Sequence, residues 1–159
     1  MSDLKIVTAT EQDIPLIVWF IKQLAEYEKL SHEAVVTSDL LRENLFGARP
    51  AAEVLLGHHQ DKPVAFAVFF HNFSTFLGRP GLYLEDLFVI PGMRGKGFGR
   101  AMLARLAQIA RERNCGRFEW AVLDWNETAG NFYKKLGAVP MSEWTTFRMA
   151  GDALERFQK

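Results

Sequence analysis

Leu82-Tyr83-Leu84-Glu85-Asp86-Leu87-Phe88-Val89 runs on into Ile90-Pro91-Gly92-Met93 and then Arg94-Gly95-Lys96-Gly97-Phe98-Gly99-Arg100. The opening segment, Leu82 to Val89, is apolar enough for a strand, and Pro91-Gly92 ends it. From Gly99 to Arg113 the residues Met102, Leu103, Leu106, Ile109 and Ala110 recur on one face of a helix. Between the two, Gly95, Gly97 and Gly99 let backbone N–H groups turn into one concavity, to which the helix adds its positive end. Such a turn is a pyrophosphate site, and Arg94, Lys96 and Arg100 bring further charge. Two familiar loops do not fit. A dinucleotide fingerprint starting at Gly95 would need glycine where Arg100 stands, and a Walker loop spaced from Gly92 to Gly97 would need lysine where Phe98 stands.

The flanking segments supply a sheet. Leu4 to Thr8 is a short strand, and Thr10 opens a helix with Asp13 three residues on and Pro15 in its first turn. Ile14, Ile17, Ile21, Leu24 and Ala25 line that helix, which runs to about Glu28. A shorter helix follows Thr37, carrying Leu40, Leu41 and Leu45. Glu53–His59 and Pro63–His71 are strands joined by a tight turn, and Asn72 to Gly81 is an aromatic loop. Phe118–Leu123 is a strand, Glu127–Leu136 a helix closed by Gly137 in the left-handed region, and Trp144–Met149 a last strand before a terminal helical turn. Hairpin-linked strands with helical crossovers imply an α/β fold with a mixed, mostly antiparallel sheet and helices on both faces.

Bulk properties narrow the function. The chain has 159 residues, which fits a single domain over 1–159, and 48% are hydrophobic against 24% charged. Its formal net charge is zero, which removes any general electrostatic case for nucleic acid or an anionic membrane. Cys115 is the one cysteine, so no intrachain disulfide can form. It reads as a packing residue, and a reducing, cytoplasmic setting is expected. No apolar run reaches the roughly 20 residues that span a bilayer, and no secretory leader is visible. His32, His58, His59 and His71 show no metal-ligand spacing, so no metal is expected.

Arg94, Gly97 and Gly99 satisfy the Arg-x-x-Gly-x-Gly loop of the GNAT superfamily of N-acetyltransferases, which this chain resembles. Two later segments match as well: Trp125-Asn126-Glu127, and Asn131-Phe132-Tyr133 with Gly137-Ala138. Tyr83-Leu84-Glu85-Asp86, Trp125-Asn126-Glu127 and Leu24-Ala25 with Tyr27-Glu28 narrow the resemblance to the spermidine/spermine (diamine) N-acetyltransferase branch. It extends from about Ile6 to Met149. The resemblance implies acetyl-CoA as co-substrate, direct attack by an amine in a ternary complex, and a homodimer paired through the last strands and helices.

The roles it implies suit the chemistry. An alkyl amine with a pKa of roughly 10.4 is neutral in only about one molecule in 2,500 at pH 7, so a free nucleophile costs about 4.6 kcal/mol. Glu85 is the expected proton relay, with Asp86, Tyr27 and Glu28 at the acceptor. Simple alternation puts Tyr83, Glu85 and Leu87 on one face and Leu84, Asp86 and Phe88 on the other, barring a bulge. Leu87, Phe88 and Val89 would pair with the pantetheine arm and give an oxyanion donor from their backbone. The loop Arg94, Gly95, Lys96, Gly97, Phe98, Gly99 and Arg100 would hold the pyrophosphate. Asn126 would bond pantetheine, or cap the next helix, and Tyr133 would be the general acid for the leaving thiolate.

One departure bears on the substrate. Polyamine-acetylating members carry an acid in the loop before the Tyr-Leu-Glu-Asp strand, and Ser74 stands there in this chain. A shorter or differently charged amine, such as an amino-acid side chain or a thialysine-like compound, is therefore expected. The alternatives are a protein or peptide N-acetyltransferase and a non-catalytic acetyl-CoA-binding regulator. Keeping both Glu85 and Tyr133 favours catalysis, since a pure binder needs only the loop.

Overall fold

A computed structural model describes residues 3–157. The chain falls into two compact units, one ending at Ala121 and the other starting at Val122. The first holds β1 (Lys5–Thr8), α1 (Ile14–Tyr27), α2 (Ser38–Phe46), β2 (Glu53–His59), β3 (Lys62–Ser74), β4 (Arg79–Val89), α3 (Phe98–Glu112) and β5 (Arg117–Trp120). The five strands lie in chain order in one sheet. β1 to β4 are antiparallel and β5 runs parallel to β4, which is the mixed α/β sheet expected.

Local chemistry sets the element ends. The Thr10 N–H donates to Asp13 Oδ2 at 2.8 Å, and a single 3-10 turn then leads into α1 with Pro15 in its first turn. Thr37 Oγ1 accepts the Leu40 N–H at 3.2 Å and caps α2. Gln60 and Asp61 both take positive φ, 51° and 62°, the geometry of a two-residue hairpin turn between β2 and β3.

Ile14, Ile17 and Phe20 of α1 and Leu41 of α2 bury against Val54 and Leu56 of β2, Phe66 of β3 and Phe88 of β4. Phe20 stacks on Phe66 with ring centres 4.9 Å apart. Burial of each such side chain contributes roughly 1.5–3 kcal/mol. α3 covers the opposite face with Met102, Leu103, Leu106, Ile109 and Ala110, none more than 6% exposed. Arg113, just past its end, forks onto Glu53 at 2.6 and 3.0 Å. Its guanidinium also lies 5.8 Å from the Phe69 ring centre. Glu53 and Phe69 alternate with Val54 and Val68, so helices sit on both faces.

Three expectations about strands need correction. Asn72 to Gly81 is no long loop: β3 and β4 pair as far as Ser74↔Arg79. Only a four-residue turn joins them, closed by the Gly78 N–H on Ser74 O at 2.8 Å. The Asn, Ser and Gly residues that signal a loop are here absorbed by cross-strand pairing, for which Phe70 and Phe73 are good formers. β5 stops at Trp120 rather than Leu123.

In the second unit, α4 (Glu127–Lys135) is capped by Asn126, whose Oδ1 accepts the Ala129 N–H at 3.2 Å. Gly137 closes it at φ +95°, as expected. α5 is Gly151–Arg156. Trp144–Met149 is not a strand. A strand exists only where a neighbour supplies its ladder, and the described residues give this segment none. Trp144 and Phe147 are 78% and 94% exposed.

Candidate active site

The strand, turn and helix of residues 82–113 form as the sequence implies, with a short 3-10 turn at Pro91–Met93 between them. Gly97 is the residue before α3 and takes φ +84°, and Gly95 takes φ +78°. An L side chain is strained there, so glycine is required. A Cβ at either position would meet nothing within 4 Å, so the cradle is open to an incoming anion. This fits a pyrophosphate held by loop N–H groups at a helix N-terminus. Lys96 and Arg100 are exposed beside it. Phe98 is 3% exposed and packs on His59 with ring centres 5.1 Å apart, so its backbone alone can serve a ligand. Phe88, in the core, is likewise limited to its backbone.

β4 is asymmetric. The Ile90 N–H donates to Val64 O on the β3 side at 3.0 Å, so strand alternation turns the N–H groups of Leu87 and Val89 the other way. The ladder to β5 ends at its fourth pair, Leu84↔Trp120, while β4 continues to Val89. Val89 O accepts from Arg94 Nε at 2.9 Å. This stretch of β4 can therefore pair with an extended ligand as an added strand.

A bulge fixes the acids. Asp86 pairs with Val68 and Leu84 with Phe69, which leaves Glu85 as the extra residue. The simple alternation fails at that point. Tyr83, Asp86 and Phe88, opposite Phe70, Val68 and Phe66, share the α1 face. Glu85 is exposed and Asp86 half-buried. Burial first, then the charges of Glu85 and Glu28, push the Asp86 carboxyl up to about 7. Burial also raises Glu28. Burial, Glu85 and Glu119 raise the Tyr83 phenol. Two adjacent acids inside an apolar strand were the only sequence signal of the bulge, since strict alternation would aim one of them into a core.

Tyr27 ends α1 and lies 6.1 Å, centre to centre, from Phe88. The Arg94 guanidinium sits 4.4 Å from the Tyr27 ring centre, a contact that sequence reasoning missed. The structure thus brings Tyr27, Glu28, Asp86 and Arg94 together. Asn126 and Tyr133 belong to the second unit, before and within α4. Ser74 is buried in the hairpin turn, where its Oγ accepts the Leu77 N–H at 3.2 Å. Burial pushes the Cys115 thiol up, away from a nucleophilic thiolate. Among the described residues no group of three or more His, Cys, Asp or Glu is placed to hold a metal ion. No helix among them is long and apolar enough to cross a membrane.

A glycine turn heading a helix, a parallel strand pair that parts beyond its fourth rung, and carboxyls beside the parting strand are the geometry a CoA-dependent acyltransferase requires. The chain belongs to the Acetyltransferase (GNAT) family, whose profile matches residues 19–138. It is 36% identical to a thialysine N-epsilon-acetyltransferase of Mus musculus, over 97% of this chain and 96% of that one. It is 32% identical to L-ornithine N5-acetyltransferase NATA1 of Arabidopsis thaliana, over 98% and 88%. An integron cassette protein from the mobile metagenome of V. cholerae superposes with a TM-score of 0.83 at 28% identity, covering 98% of each chain. The chain is an acyltransferase of this family, whose co-substrate is acetyl-CoA.

Proposed function

We propose that this protein acetylates a primary amine of a small dibasic molecule, such as an amino acid of the thialysine or ornithine type. The observation that carries this reading is the carboxyl cluster of Asp86, Glu85 and Glu28 beside the parting strand, with Asp86 raised to about 7. A clustered negative charge binds an ammonium group, and a group poised near neutrality can take its proton. Glu85, exposed at the bulge, relays that proton outward through water. The near-full-length relatives named for thialysine and ornithine support the substrate class. So does Ser74, which is locked into a turn where polyamine-acetylating members place an acid.

Acetyl-CoA supplies the activated carbonyl. The loop from Arg94 to Arg100 would hold its pyrophosphate, and the Leu87 and Val89 amides would pair with its arm and stabilise charge on the carbonyl oxygen. Asn126 would add a bond to that arm, and the Tyr133 hydroxyl would give a proton to the leaving sulfur. The family match at 19–138 runs across both units, which supports one acetyltransferase domain over 1–159. We further propose a cytoplasmic homodimer. Its support is a single free cysteine and the exposed apolar run through Trp144 and Phe147. The test is a panel of lysine, thialysine, ornithine, spermidine and short peptides with acetyl-CoA, following thiol release. Turnover confined to the peptides would overturn the small-molecule reading.

A further inference from the structure

Arg94 opens the phosphate loop, yet its side chain points its contacts elsewhere. Nε donates to Val89 O at 2.9 Å, and the guanidinium carbon lies 4.4 Å from the Tyr27 ring centre and 5.3 Å from that of Phe88. Both distances are within cation–π range. Tyr27 is the last residue of α1 and Glu28 its cap, and Glu28 is one of the charges that act on Asp86. One planar side chain therefore joins three elements: the loop, the end of β4, and the end of α1 that carries acceptor-site residues.

We propose that Arg94 is a positioning residue for the amine, a bridge that holds Tyr27 and Glu28 in place from the phosphate loop. The proposal rests on the acceptor site described under the proposed function. The bridge needs a flat cation with a directed Nε–H. Lysine keeps the charge but offers neither the stacking plane nor that geometry. A residue serving only as a phosphate ligand would tolerate lysine and would show no link to Tyr27.

The experiment is a double-mutant cycle of Arg94→Lys and Tyr27→Leu, with Tyr27→Phe as the variant that keeps the ring. Binding of CoA to the free protein, and of thialysine and spermidine to the CoA-saturated protein, is measured by calorimetry. Arg94→Lys, which keeps the loop's positive charge, and Tyr27→Leu should each weaken amine binding by about 5- to 20-fold, a larger loss than either causes in CoA binding. The double variant should be no more than about twofold worse than the weaker single one, and Tyr27→Phe, which keeps the ring, should lose less amine affinity than Tyr27→Leu. Hydrogen exchange over residues 24–30 should be severalfold faster in Arg94→Lys. Single effects that multiply, or an Arg94→Lys protein that loses CoA affinity while amine binding and exchange stay unmoved, would overturn the bridge. A CoA-saturated parent that binds neither amine would instead refute the proposed acceptor site, and exchange over residues 24–30 would then decide the bridge alone.

Discussion

Tyr83 and Asp86 lie on the same face of the sheet although three positions separate them along one strand, because the ladder between β3 and β4 skips Glu85. Strict alternation back from Phe88, which lies in the α1 core, keeps Asp86 on that face but would have turned Tyr83 to the other. The bulge instead brings Tyr83 round to join Asp86, whose half-buried carboxyl is disfavoured in its charged form both by lost hydration and by the like charges of Glu85 and Glu28. Bulges next to active sites commonly re-aim a side chain in this way.

The pH dependence of kcat/KM for the amine should report Asp86. In the proposed mechanism its ionised form would bind and deprotonate the ammonium, so the rate should rise through about pH 7. Glu85 is one cause of the upward shift. Glu85→Gln should therefore move that limb to lower pH while also lowering the rate by roughly 10- to 100-fold through loss of the relay. Asp86→Asn should abolish the limb. Initial rates from pH 5.5 to 9 on all three proteins decide it, and an unshifted limb in Glu85→Gln would remove Asp86 as the titrating group.

Stability should respond to Asp86 with the opposite slope. Its folded pKa, about 7, exceeds the ordinary value of 3.8, so between those values the folded state holds a proton that the unfolded state has lost. Stability from this group is fully present below about pH 4 and is lost as pH rises through 7. Asp86→Asn should relieve that loss, by at most about 4 kcal/mol. Its melting temperature relative to the parent should be higher at pH 8 than at pH 5, as differential scanning would show.

Gly97→Val should weaken CoA binding by tenfold or more. The valine finds open space, so a folded protein is expected. Its costs are the strain of φ +84° and a side chain standing where a phosphate must approach the backbone. Calorimetric titration of CoA into the folded variant is the check, and unchanged affinity would rule out this loop as the site.

Tyr133→Phe should lower turnover by roughly 10- to 1,000-fold and leave acetyl-CoA affinity nearly unchanged. As the proposed general acid, the hydroxyl would act on charge that appears on sulfur as the bond breaks, so its loss would be felt in the transition state. A thiolate leaves fairly well unaided, which puts the effect at or below the usual 10²–10⁴-fold for general acids. Equal turnover in the two proteins would assign the proton to water or another group.

The chain should sediment as a dimer. The segment from Trp144 to Met149 has strand-forming side chains but no strand in the single chain, and its exposed Trp144, Phe147 and Met149 favour burial against a partner. An 18.1 kDa species alone at micromolar concentration would count against it.

The glycine turn between β4 and α3 was legible because its geometry is local. Glycine at 95 and 97 suits backbone conformations that most L side chains adopt only with strain, and the α3 face was readable from helical spacing alone. The cap at Asn126 was legible for the same reason, since it needs only a side chain and an N–H three residues on. The sequence likewise determined the family, through motifs that sit in consecutive residues. Only the tertiary structure decided where the strands end, because the length of a strand depends on which neighbour completes its hydrogen bonds. That extended the hairpin through Asn72–Ser74 and denied a ladder to Trp144–Met149. It also decided that Tyr83 shares the α1 face with Asp86: skipping one residue reverses every side chain beyond it, and that step lies in the register between two strands rather than in either one.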